Sequence, residues 1–119
     1  MKVFQTSLLD CLIIKPDIYR DSRGFFLETF RANQFAEDLG IKDTFVQDNH
    51  SHSSKGVFRG LHFQLNNPQG KLVRASKGTV LDVAVDLRAG SKTFGKSEIF
   101  EISDQNFHQI WVPPGFRSE

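Results

Sequence analysis

Cysteine is nearly absent: Cys11 is the only one in 119 residues. A lone thiol excludes an internal disulfide and fits a reducing compartment, so the expected location is the cytoplasm. Long hydrophobic stretches are missing too. No apolar run approaches the ~20 residues that a membrane helix needs. The opening MKVFQTSLLDCLIIKPD has an apolar patch, but Asp10 interrupts it and it has no small-residue cleavage site, which argues against a signal peptide. Neither lysine nor arginine forms a run, and the formal net charge is only +1. A chain so balanced has no electrostatic footprint for nucleic acid. Neither a membrane nor a nucleic acid is therefore an expected partner.

What the sequence does have is phenylalanine. Twelve stand beside one tyrosine and one tryptophan. Phe has no polar handle, so it favours dry interiors and interfaces. Apolar residues make up 39% and charged residues 24%, as in an ordinary globular protein. The length suits one domain spanning residues 1–119. Stretches with strand character are LLDCLIIKP, FFLETF, TFVQDN, VFRGLHFQ, KLVRAS, TVLDVAVDLR, SEIFEIS and HQIWVPPG. YRDSRG, HSHSSKG, NNPQG and AGSKTFGK read as turns or loops between them. RANQFAEDLG reads as the one helix, with Phe35 and Leu39 on one face and Gly40 just past its end. In TVLDVAVDLR, Leu81, Val83, Val85 and Leu87 share one face, and Asp82, Ala84, Asp86 and Arg88 the other. About eight short strands with one helix predict an all-β jelly-roll barrel or sandwich.

A small barrel either fills its interior with side chains or holds one small ligand. Arg59, His62, Lys71, Asp82 and Asp86 are polar groups on strands that also have an apolar face. Alternation alone puts Arg59 and His62 on opposite faces; a bulge at Gly60 would bring them to one. Two readings stay open on patterning. In one, His62 is a proton-abstracting base and the cations stabilise an oxyanion or hold phosphate. In the other, His62 is a hydrogen-bonded structural histidine and the cations are solvated. Asp82 either orients His62 or Lys71 or is a solvated strand residue; the second reading is the expectation.

His50 and His52 form an H-x-H pair, with His62 and His108 elsewhere in the chain. A metal centre of that kind needs a further carboxylate, and SSKGVFRG supplies no glutamate. The expectation is polar loop histidines and no metal site.

QDNHSHSSKGVFRGLHFQ, PQGKLVRASKGTVLDVAVDLRAGSKTFGK and IWVPPGF closely resemble segments of the dTDP-4-dehydrorhamnose 3,5-epimerases of the cupin superfamily. The likeness runs from DSRGFFLETF to PPGF, in order. It implies a cupin-type jelly roll acting on a dTDP-linked 4-keto-6-deoxy sugar, in dTDP-L-rhamnose or related deoxysugar biosynthesis. Protons at C3 and C5, both α to the C4 ketone, would be removed and returned on the opposite face, with no cofactor or metal. By matching position, His62 looks like the base and Lys71 like the cation facing the C4 oxygen. Arg23, Glu28, Gln47, Asn49 and Arg59 look like substrate contacts. The resemblance also implies a homodimer in which N-terminal strands cross to the partner.

After PPGF the family continues as AHGF and further strands, which carry a general-acid tyrosine and an aspartate partner for the histidine. Here the sequence reads Arg117-Ser118-Glu119, and Tyr19, in the N-terminal turn, does not match the acid position. The expectation is a chain truncated relative to the family, binding dTDP but turning over weakly or not at all. A catalytically inactive dTDP-sugar-binding cupin and a metal-dependent cupin are the alternative classes.

Overall fold

The computed structural model describes residues 1–60 and 69–118. Among them are nine short strands and one helix: β1 (Lys2–Gln5), β2 (Leu12–Lys15), β3 (Ile18–Asp21), β4 (Gly24–Leu27), α1 (Ala32–Leu39), β5 (Lys71–Arg74), β6 (Thr79–Asp86), β7 (Ser97–Ser103), β8 (Gln109–Val112) and β9 (Phe116–Ser118). The protein is mostly β with one short helix, as the sequence predicts. It divides into two compact units, one made of Met1–Pro16 with Arg59–Glu119 and the other of Asp17–Phe58.

In the first unit, β1-β2-β8-β5 form one antiparallel sheet and β7-β6-β9 another. Their core combines Ile110 and Val112 of β8 with Ala84 of β6, Phe100 and Ile102 of β7, and Phe116 of β9. Leu8 and Cys11 close it, and Val73 and Ala75 pack against it. Two sheets sharing inward residues in this way make a sandwich, and each large side chain so buried contributes about 1.5–3 kcal/mol. Beside this core, the loop after β6 is tied down by Asp86, which is wholly buried. Arg88 donates to Asp86 through Nε and Nη2 at 3.0 Å, and Ser91 and Thr93 donate from their hydroxyls at 2.5 Å. Arg88 also reaches Asp10 at 2.9 Å and stacks 4.7 Å above the Phe116 ring. One arginine thus joins the N-terminal turn, the β6–β7 loop and β9.

β6 turns its faces the other way from the apolar expectation. Asp82, Ala84 and Asp86 are buried, whereas Leu81 is 60% exposed. Asp82, expected to be solvated, is 1% exposed. The cause is tertiary: Asp86 is drawn inward by Arg88, Ser91 and Thr93, and period-two alternation carries Asp82 to the same side.

In the second unit, β3 and β4 form an antiparallel hairpin whose tight turn pairs Asp21 with Gly24. YRDSRG, expected to be all turn, therefore lies partly in β3. α1 ends as predicted, with Gly40 at φ 71°. Phe30 packs edge-on against Phe35 and Phe45, at 4.8 and 5.1 Å between centroids. The strand expected at 44–49 does not form. Val46 is 89% exposed, and among the described residues no strand pairs with this stretch. Residues 57–60 are not strand either; the remainder of VFRGLHFQ lies outside the described residues.

Candidate functional site

Lys71 is the first residue of β5 and stands opposite Val112 of β8. By strand alternation its side chain shares the face of Val73 and Ala75, which pack on the core. It is half-buried. Gly70, immediately before it, passes over Trp111: a Cβ there would sit 2.5 Å from Trp111 Cη2 and 3.2 Å from Pro114 Cδ. Arg59 is exposed and outside any strand. His62 lies outside the described residues.

Asp82 adds a carboxylate to the interior of the same unit. It and Glu98 contribute to the state of Cys11, whose thiol burial pushes up to about 12 against a hydrogen bond from Thr6. Cys11 is therefore a protonated, inert core residue rather than a nucleophile. His108 is also in this unit; burial first, and then the charge of Lys15, lower its pKa and favour the neutral ring.

The remaining candidates belong to the second unit. Arg23 occupies the β3–β4 turn with its side chain 89% exposed, and its Nη2 donates to Asp21 at 2.6 Å. That bond, with the Arg23 backbone N–H, lowers the pKa of Asp21. Glu28 follows β4, is exposed, and accepts from Arg31 at 2.7 Å. Gln47 and Asn49 sit two apart on irregular backbone, and the Gln47 amide donates to Asn49 at 3.1 Å. The structure thus brings Gln47 and Asn49 into contact, while Arg23 and Glu28 each engage a neighbour in sequence. His50 and His52 are exposed, and among the described residues no group of three or more His, Cys, Asp or Glu side chains is arranged to hold a metal.

Sequence reasoning missed the burial of Asp82 and the contact between Gly70 and Trp111. Spacing on β6 groups Asp82 with Asp86 on one face but does not say that this face is the buried one. No local signal marked the second.

The family model described as dTDP-4-dehydrorhamnose 3,5-epimerase matches residues 5–118. The chain belongs to the dTDP-4-dehydrorhamnose 3,5-epimerase family. A dTDP-4-dehydrorhamnose 3,5-epimerase of Neisseria gonorrhoeae is 54% identical over 98% of this chain and 35% of its own length. One from Shigella flexneri is 52% identical, covering 98% of this chain and 65% of its own. A crystal structure of dTDP-6-deoxy-D-glucose-3,5-epimerase from Legionella pneumophila, in complex with dTDP-4-keto-L-rhamnose, superposes with a TM-score of 0.95 at 50% identity. That match covers 98% of this chain and 62% of the Legionella one. The fold is therefore the cupin-type jelly roll of these epimerases, and the chain spans less than two-thirds of each of these three relatives.

Proposed function

We propose that the protein is a dTDP-4-dehydro-6-deoxyglucose 3,5-epimerase of dTDP-L-rhamnose or related deoxysugar biosynthesis. The observation that carries this reading is the likeness to the Legionella enzyme, at 50% identity, whose structure holds dTDP-4-keto-L-rhamnose. The chemistry is redox-neutral. The C4 carbonyl acidifies the protons at C3 and C5; a base removes one, the electrons move onto the C4 oxygen as an enolate, and a proton returns on the opposite face. No redox cofactor enters this scheme.

In this reading His62 is the base and Lys71 faces the C4 oxygen. A placed general base contributes roughly 10²–10⁴ in rate. A preorganised donor to a developing oxyanion contributes roughly 10²–10³. Arg59 is a substrate contact, and Arg23, Glu28, Gln47 and Asn49 are contacts of the nucleotide diphosphate and thymidine. Arg23 is suited to this because its bond to Asp21 is solvent-exposed and worth little, so phosphate oxygens displace it easily. The amides of Gln47 and Asn49 offer both donors and acceptors to a base edge.

The same reading takes the chain as one functional domain, cytoplasmic, acting as a homodimer. Dimerisation is supported by the β3–β4 hairpin, which exposes Tyr19, Phe25 and Phe26 at 55–69%. A two-stranded hairpin is marginal alone, and exposed aromatics of this kind mark a surface that another chain covers. The test is incubation with the 4-keto-6-deoxy sugar nucleotide in D₂O, followed by NMR at C3 and C5, with calorimetry for dTDP. Binding together with deuterium uptake above the enzyme-free rate is expected. Binding without uptake would mark a non-catalytic dTDP-sugar binder instead.

A further inference from the structure

We propose that Trp111 and Gly70 are positioning residues for Lys71, with the indole as a floor that sets where β5 begins. Gly70 does not take a positive φ, so its missing side chain serves space and not a turn. A Cβ at this position would stand 2.5 Å from Trp111 Cη2, 3.2 Å from Trp111 Cζ3 and 3.2 Å from Pro114 Cδ. Trp111 cannot yield readily. It is 6% exposed, and its strand is held on both sides, by Leu12 of β2 and by Leu72 of β5. Alternation along β8 puts Trp111 on the face opposite Ile110 and Val112 of the core. The chain therefore rests on the outer face of the sheet at Gly70, then turns the Lys71 side chain toward the inner face one residue later. Contact with the indole and with the Pro114 ring fixes the backbone height at this step.

The catalytic consequence rests on the epimerase reading. A cation that faces a developing oxyanion acts only if it is held in place, and a displacement of about 1 Å costs roughly 100-fold in rate. Gly70→Ala forces that displacement. Trp111→Phe removes the Cη2 and Cζ3 atoms that the new Cβ would meet, so it relieves the clash.

The test uses wild type, Gly70→Ala, Trp111→Phe and the double variant. Lysines are reductively methylated with ¹³C, and the Lys71 signal is assigned by its loss in Lys71→Arg. Gly70→Ala is expected to move the Lys71 signal and to lower kcat for deuterium uptake roughly 100-fold, with dTDP affinity and KM nearly unchanged. The double variant is expected to move the signal back and recover most of the rate. An unmoved Lys71 signal in Gly70→Ala, or a double variant as impaired as Gly70→Ala, overturns the proposal. If wild type takes up no deuterium, the epimerase reading fails, and the Lys71 signal alone still decides the packing claim.

Discussion

Asp86 is the residue on which the first unit's loop structure depends. Burial alone pushes its carboxyl up, but hydrogen bonds from Arg88, Ser91 and Thr93 outweigh that and hold it well below the usual carboxylate range. A carboxylate held down in the fold stabilises it above the ordinary carboxylate pKa of about 3.9, and that stabilisation is lost as pH falls below it. Asp86→Asn is therefore expected to lower stability by about 2–4 kcal/mol at neutral pH. The gap to wild type should narrow below about pH 4. Urea titrations of both proteins from pH 3 to 8 check the size and the sign; a gap that widens in acid would be the wrong sign. At this scale the sequence was partly legible. The opening of β5 at Lys71 was readable from PQGK, because turn residues give way there to an apolar pattern. The burial of Asp82 was not, because alternation sorts β6 into two faces without saying which one the core takes. Leu81, Val83 and Val85 are the more apolar set, yet Leu81 is largely exposed and Asp82 is not.

Among the elements, α1 and β7 were the most legible, and both have local causes. The helix carries Phe35, 2% exposed, on its inner face, and Gly40 takes the left-handed conformation that ends it. Nothing lies within 4 Å of a Cβ placed on Gly40, so substitution there is felt only by the backbone. Gly40→Ala should destabilise the protein by about 1 kcal/mol, and amide exchange in α1 should rise by about the matching factor. Exchange unchanged in α1 would show that the cap contributes nothing. TFVQDN shows the opposite case. Its composition favours a strand, but a strand needs a neighbour to pair with, and no sequence window contains that information. β1 and β3 were missed for a related reason: their residues are mostly exposed, so they lack the apolar alternation that marks a half-buried strand.

For the whole molecule, the aromatic hairpin of the second unit and the sandwich of the first belong to one proposed enzyme. If Phe25 and Phe26 lie in a dimer contact, replacing both by serine removes at least one buried aromatic. Dimer dissociation should then strengthen about 10-fold or more, as read by sedimentation across a concentration series. An unchanged dimer would place the contact elsewhere. The central claim, however, is proton transfer α to a ketone, with His62 as the base. Its most direct measurement is deuterium uptake at C3 and C5 of the 4-keto-6-deoxy sugar nucleotide in D₂O, compared between wild type and His62→Asn at saturating substrate. Wild type should exceed the enzyme-free rate, while His62→Asn falls to that rate and keeps its affinity for dTDP. Uptake by His62→Asn at the wild-type rate would contradict the account.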